Sequence, residues 1–519
     1  MNKKKGSKSG AVIDIGSHML KMRIAQLKKG EVVEVDRLEY PLHLGHEVFN
    51  DGKISFESLR ELSRILHGYV ETLEGYGVDQ VRVVATTALR EAKNRAYVVD
   101  QLKIQNDLTV QVLEDDQEKT LIYSEMLRFL QQSGEELENQ DALLTYIGTG
   151  SIGIALYDGK NVIYSQSIPV GSLKLRDVLN TGGDDSENFH VVMEEYLDAI
   201  MERIGKSLKD VQVSNLIFTG SDVGLIARVF GAREENHRYI LNLQQVNAMY
   251  REITPLSPEK SRFPVSVHYR RRGGYFVFSP FDFQPAGALF QSAISHASGG
   301  GFVGRCDAAY AHSQSVEQYH QHVRNSAIAC AQAIAEKYGC PSSHSELVRK
   351  FAVKIFDKTK AIHGLPVNYR LVLELAAILH DCGHYVNTKL HTRSSFDLVK
   401  NFDVYGLTSA HMRLIAYVAS YNEFNTPSFE ELDFYRLSET EKICVSKLVA
   451  IFRLANSLDK SQRQKFDDIK VRMEHNRLLV STETNEDSHL EKWAFAQCCP
   501  FFKEVFGIDS ELTVRLPMI

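Results

Sequence analysis

Cysteine is missing from the first 305 residues. All seven cysteines lie beyond Arg305, none has C-x-x-C spacing, and Cys498 and Cys499 are adjacent. This excludes a zinc ribbon and a secreted disulfide framework, and reduced cytoplasmic thiols are the simpler reading. Long apolar runs are missing too: none approaches the ~18 residues that a membrane span needs. Met1–Gly10 is basic but has no apolar core, so we expect a disordered N-terminus over residues 1–10, a cytoplasmic location and no membrane partner. A net charge of −6 argues against DNA binding, and any polyanion must be met by local patches. What remains, 44% hydrophobic and 24% charged residues over a length of 519, is globular and too long for one ordinary core. Three or four packing units are expected.

The chain repeats one pattern about a quarter of its length apart. In AVIDIGSHMLKMRIAQLKKGEVV, Ala11 to Val33, a strand ending in Ile13-Asp14-Ile15 meets a Gly16-Ser17 turn, a second strand, a Lys29-Gly30 turn and a third strand. LLTYIGTGSIGIALYDGKNVI, Leu143 to Ile163, has the same layout, with Ile147-Gly148-Thr149 on Ile15-Gly16-Ser17 and Asp158-Gly159 near Lys29-Gly30. One repeat at this spacing suggests a duplicated α/β domain rather than a solenoid. Two equivalent turns would then face each other across a cleft.

Between the hairpins, Leu59, Leu62, Ile65, Leu66 and Val70 recur at helical spacing, and the strand Val81–Ala85 runs into TTALREAKN, where Thr86 or Thr87 can cap a helix carrying Arg90. A helix start with an arginine one turn in suits an anion; the alternative is a capped helix with a solvated arginine. The strand ending at Leu113 meets the acidic run Glu114 to Glu118, whose carboxylates favour a helix N-terminus. After the second hairpin come SIPVGSLKLRD, a third glycine turn in NLIFTGSDVGLIA, and Arg270, Arg271 and Arg272 beside Gly273-Gly274, which read as a hairpin tip. Ser298 to Gly301 with Gly304 marks a linker. Beyond it, helical periodicity from His344 to Phe356, Leu371 to Leu379, Met412 to Val418 and Ile443 to Leu458 makes an all-α unit, followed by a small α+β tail with the only tryptophan. His312, His320 and His322 are expected on a solvated helix face.

DIGS at Asp14 to Ser17, ATTALREAKN at Ala85 to Asn94, the strand before Glu118, IGTGS at Ile147 to Ser151 and PVGSLKL at Pro169 to Leu175 resemble, in this order, the motifs of the exopolyphosphatase/guanosine-pentaphosphatase (Ppx/GppA) family. The resemblance implies a duplicated actin-like (ribonuclease-H-like) α/β fold, with lobe I at 11–137 and lobe II at 138–297. A linker (298–311), an all-α HD-like domain (312–470) and a small α+β C-terminal cap (471–519) would follow. It implies a phosphoanhydride hydrolase acting with Mg2+ in the interlobe cleft on polyphosphate or guanosine pentaphosphate or tetraphosphate, as a homodimer. Glu118 then matches the water-activating glutamate and Arg90 the phosphate-gripping arginine. Asp14 matches the aspartate near the metal, and Gly16, Ser17, His18 and Gly148, Thr149, Gly150, Ser151 match the two phosphate loops. Such chemistry needs amide cradles, a cation and a carboxylate that orients water, because phosphoanhydride oxygens repel nucleophiles.

The sequence also departs from this family. Its second loop usually reads D-x-G-G-G-S-x-E, whose acids help hold magnesium; here those positions are Tyr146 and Gly153. A phenol and a hydrogen are poor replacements for two oxygen ligands of a hard cation. His18 replaces an asparagine, and Pro285, Ala286 and Gly287 replace an Arg-Glu-Gly. An inactive relative that binds polyphosphate or an alarmone is therefore a second expectation. A third is phosphohydrolase chemistry at a divalent metal in the HD-like domain, where His344, His380 and Asp381 fit three ligands, Asn456 stands at the usual fourth aspartate, and His384 and His391 lie nearby.

Overall fold

The structure, a computed structural model, describes residues 9–28, 31–78, 80–132, 141–171, 195–200, 202, 204, 213, 215–220, 233–235, 238–241, 276–278, 313–423, 425–427, 434 and 437–516. Outside these lie the turn at Lys29-Gly30, residues 1–8, Ser172 to Leu175, Arg270 to Arg272, Pro285 to Gly287, the linker 298–311 and His312. The chain divides into two compact units, Met1–Val323 and Arg324–Ile519.

The first unit is built on two sheets, each led by the repeated hairpin. Strands β1 (Ser9–Ile15), β2 (Met19–Lys28) and β3 (Glu31–Pro41) pair antiparallel, and β4 (Gln80–Ala85) and β5 (Val110–Val112) extend the sheet in parallel from β1, in the order β3-β2-β1-β4-β5. In the second sheet β6 (Ala142–Ile147), β7 (Ile152–Tyr157) and β8 (Val162–Ile168) repeat the antiparallel trio. Strand β9 (Asn215–Gly220) then lies parallel to β6, and three short strands, Arg233–Glu235, Arg238–Leu241 and Phe276–Phe278, follow beyond it.

The two hairpins agree in detail. Gly16 donates its N–H to Met19 O at 3.0 Å, and Gly148 donates to Ser151 O at 2.9 Å. Ile15 faces Leu20, and Ile147 faces Ile152. A Cβ on Gly16 would sit 2.9 Å from Met19 O, so the turn closes only over glycine. Strand β1 is buried along Ala11 to Ile15, as a central strand between partners must be.

Helices cover the first sheet. The apolar spacing from Leu59 onward gives helix Phe56–Tyr76, started by Ser55, whose side chain accepts from Ser58 N. It buries Leu59, Leu62, Ile65 and Leu66 against a core that includes Ile13, Ile15 and Met22. The TTALREAKN segment forms only a five-residue helix, Thr87–Glu91, and Thr86 stands at its N-cap without a side-chain cap bond, contrary to the capping expected of it. The acidic run opens the longer helix Asp115–Gln132, with Asp115, Asp116 and Glu118 in its first turn.

The second unit is helical around one core, with the long helix Ser313–Lys337 entering it. Helices Ser342–Lys358, Asn368–Leu379, Ser409–Ser420 and Glu439–Ser457 bury Phe351, Leu375, Ile415 and Phe452 together. Ser438 and Glu441 form a reciprocal capping box at the start of the last of these. The expected C-terminal cap does not have its own core. Strands Lys470–Glu474, Arg477–Glu483 and Asp509–Arg515 and helix His489–Phe506 place Val471, Leu478, Val480, Phe495 and Phe502 in the same cluster. His320 and His322 are half-buried, so they do not lie on a solvated face; Nε2 of His322 is buried with no hydrogen-bond partner. Among the described residues no helix is long and apolar enough to cross a membrane.

Candidate functional site

The ends of β1 and β6 meet at a cleft that is open to solvent. Asp14, Gly16, Ser17 and His18 line it from the first hairpin, and Tyr146, Gly148, Thr149, Gly150 and Ser151 from the second. Thr86, Thr87 and Glu118 complete the wall. Nearly every cleft residue expected from the sequence is therefore brought to one place by strands far apart in the chain.

Backbone geometry explains why the loops need their residues. A Cβ on Gly150 would overlap Thr87 Cγ2, so the second loop lies directly on the start of the Thr87 helix. A Cβ on Gly171 would overlap the backbone of Thr149 and Gly150, so the end of the PVG segment packs under the same loop. Ser17 Oγ is buried and has no hydrogen-bond partner among the described residues, although its backbone oxygen accepts from Gly45 N at 2.8 Å. A buried hydroxyl left open on a cleft wall is a ready donor to an anionic oxygen.

Glu118 projects from the first turn of its helix and is 4% exposed. Arg90 does not line the cleft; it stands behind Glu118. Its Nη1 donates to Glu118 Oε2 at 3.0 Å and to Leu113 O at 2.9 Å, and its Nη2 donates to Thr87 Oγ1 at 3.0 Å and Asp115 Oδ1 at 3.2 Å. The arginine is a clamp on the carboxylate rather than an open phosphate grip. Asp115 is held by a second cation, Lys119, whose Nζ lies 3.3 Å from its Oδ1. Burial alone would raise the Asp115 carboxyl, but Lys119 and Arg90, with hydrogen bonds from Ser167 and Lys119, hold it below the usual value.

A hard divalent cation needs several oxygen ligands around one point. Asp14 supplies one from the first hairpin, while its counterpart in the second is Tyr146, paired in register with Gly153. Glu118 is already engaged by Arg90, and Asp115 by Arg90 and Lys119. The cleft residues do not fit the magnesium site that the resemblance implies.

A convergent ligand set occurs in the helical unit instead. Ligand atoms of His344, His380 and Asp381 lie within 4.8 Å of one another, the one such group among the described residues, and all three side chains are buried. His344 Nδ1 is 2.8 Å from Asp459 Oδ2, and His380 Nδ1 is 2.9 Å from Ala377 O. His380 Nε2 is buried without a hydrogen bond, 3.4 Å from Asp381 Oδ1. Each ring is thus oriented through one nitrogen with the other left over, the arrangement in which histidines serve as metal ligands. Burial, opposed by Asp381, pushes the His380 imidazolium down, while the surrounding histidines, led by His380 and His344, overcome burial and hold Asp381 low. Neutral imidazole and ionised carboxylate are the forms a metal requires.

Sequence reasoning missed Lys119 and Asp459. Asn456 instead donates to Asn422 O at 3.1 Å, and Asp459, three residues on, is the acid that orients His344. The helix Glu439–Ser457 ends before Asp459, so a search for the aspartate at its usual place looks one turn too early. His384 and His391 stack at 3.9 Å beside this group, with His391 Nε2 3.1 Å from Glu423 Oε1.

Comparison with known proteins matches both units. A model of the Ppx/GppA phosphatase family matches residues 23–275, and one of Ppx/GppA phosphatase domain III matches 323–497. A putative exopolyphosphatase of Haemophilus influenzae is 21% identical over 240 residues, 46% of this chain and 72% of that protein. An uncharacterized protein of Streptomyces coelicolor is 24% identical over 200 residues, 38% of this chain and little more than half of its own length, 56%. Among solved structures, the Aquifex aeolicus member of the Ppx/GppA family aligns at 19% identity and a TM-score of 0.44 over 57% of this chain and 100% of its own. An exopolyphosphatase from Cytophaga hutchinsonii aligns at 18% and 0.44 over 53% and 95%.

Proposed function

Because this chain belongs to the Ppx/GppA phosphatase family, we propose that its cleft hydrolyses the terminal phosphoanhydride of polyphosphate or of guanosine pentaphosphate. The observation that carries this reading is the meeting of a buried open hydroxyl, Ser17 Oγ, the Gly148–Ser151 loop and Glu118 on one cleft wall. The hydroxyl and the loop receive the terminal phosphate. Glu118, fixed by Arg90, accepts a proton from a water as its oxygen attacks phosphorus; the bond from phosphorus to the bridging oxygen breaks, and the shortened chain leaves as the phosphate anion. The fold brings the two loops together from opposite hairpins, which supports in-line positioning of a terminal group. Release of phosphate from at least one of the two substrates, lost in Glu118→Gln, tests this; full release by that variant would refute the role of Glu118.

A second reading concerns the helical unit. His344, His380 and Asp381 would hold a divalent metal there, and the open Nε2 of a buried, oriented His380 supports it. Such an ion supplies an activated water to HD-type phosphohydrolases. Metal analysis of the purified protein, with and without His380→Ala, tests the site independently of any activity. Absence of stoichiometric metal after loading with manganese, iron or zinc would refute it.

A further inference from the structure

At Tyr146 and Gly153, where the resemblance implies a pair of acids, a buried lysine fills the space instead. Gly153 faces Tyr146 across the hairpin, and the space above Gly153 is filled by the helix Asp115–Gln132. A Cβ at 153 would lie 2.8 Å from both Cδ and Cε of Lys119 and would overlap Tyr123 Oη. An acidic side chain at 153 and Lys119 in its present place therefore exclude each other. The ammonium that occupies this ground is 4% exposed as a residue, donates to Ser151 Oγ, lies 3.3 Å from Asp115 Oδ1, and sits 4.9 Å from the centre of the Tyr146 ring. Tyr146 is thus the aromatic support of a buried cation. The first hairpin carries the matching charge by register: Lys21, also buried, lies opposite Asp14.

We infer that Lys119, which stands behind the cleft wall at Ser151, is the cation that serves this phosphate loop and that phosphate binding here does not depend on a divalent metal. The inference rests on the phosphoanhydride reading given above. Lys119 is a positioning residue and acts through Ser151. By donating to Ser151 Oγ it turns the hydroxyl hydrogen away from itself. That hydrogen points at Asp115 Oδ1, 3.2 Å away, and is free to swing to a phosphate oxygen when one enters the loop. Asp115 then keeps its two cations, Lys119 and Arg90, so no charge is stranded. A fixed ammonium 5% exposed as a side chain acts in a setting of low dielectric, where one positive charge on a phosphate loop counts for much more than at the surface.

The test is calorimetric titration of the full chain with a short linear polyphosphate, in EDTA and in magnesium. Wild type is expected to bind with affinities that agree within about threefold in the two buffers. Lys119→Met is expected to bind about ten- to a hundredfold more weakly in EDTA, the loss of one charge-assisted hydrogen bond. In the triple variant Tyr146→Asp, Gly153→Glu, Lys119→Ala, which introduces the acidic pair that the resemblance implies and vacates its space, binding is expected to become magnesium-dependent; a purely structural lysine would not produce that change. A melting curve on each variant separates misfolding from weak binding. Wild-type binding that collapses in EDTA, or a folded Lys119→Met that binds unchanged, would overturn the inference alone. No binding by wild type in either buffer would overturn the phosphoanhydride reading and this inference with it.

Discussion

Arg90→Met removes the guanidinium fork and keeps the apolar stem. Arg90 and Glu118 form an ion pair at 3.0 Å with side chains 15% and 5% exposed, and Glu118 makes no other ion pair among the described residues. At an effective dielectric of ~20 the gross attraction at this separation is roughly 5 kcal/mol. Removing one member of a buried pair costs ~3–5 kcal/mol, and the lower end, about 3, applies because the arginine side chain keeps 15% of its surface in solvent. At about 1.5 °C per kcal/mol for a unit the size of Met1–Val323, the unit that contains the cleft should melt about 4–5 °C lower. The kinetic signature differs from that of a lost phosphate grip. A carboxylate no longer held in place by its clamp should activate water less well, so kcat should fall, with KM little changed. Thermal melts and steady-state kinetics on polyphosphate, with Arg90→Lys as the charge-conserving control, provide the assay. An unchanged melting temperature, or a rise in KM alone, would refute the clamp.

Other outcomes follow from single contacts. Gly150→Ala drives a methyl into Thr87, and such overpacking costs ~1–3 kcal/mol, so reduced turnover with a lowered melting temperature is expected by kinetics and melts. Asp459→Asn weakens the orientation of His344 and should lower the affinity of the helical unit for a divalent metal about 10–100-fold in a competition titration. Burial and the nearby Glu39 push the Tyr69 phenol up to about 12, against an ordinary value of 10.0. Its contribution to stability is therefore intact below pH ~10 and is lost as pH rises toward the folded value, so in denaturant titrations Tyr69→Phe should lose stability less steeply than wild type above pH ~10.

The repeated hairpin was legible because period-two strands and a Gly-Ser or Gly-Thr turn are local signals, and Gly16 and Gly148 close identical turns. The convergence of Asp14, Glu118 and Ser151 on one cleft followed from the order of motifs, which encodes the fold's symmetry. Lys119 was invisible for a physical reason. Next to a catalytic-type glutamate on a polar helix start it reads as a solvated residue, and only the packing of that helix over Gly153 buries its ammonium. Arg90 was read as facing an anion because its local context is a helix start; its four partners come from segments beyond that context, except Thr87. Asp459 escaped because it lies past the helix end, where register along the helix no longer predicts direction. The core shared by the helical unit and the expected cap was equally hidden, since Val480 on a strand and Phe502 on a helix would suit any small α+β unit until their partners are known.

The most direct test of the account is phosphate release from polyphosphate and from guanosine pentaphosphate by wild type and Glu118→Gln, each with and without EDTA. Release by wild type in both conditions from at least one substrate, reduced by about 10²–10⁴-fold in the variant, is the predicted result. Wild-type rates matched by Glu118→Gln would contradict the account at its centre.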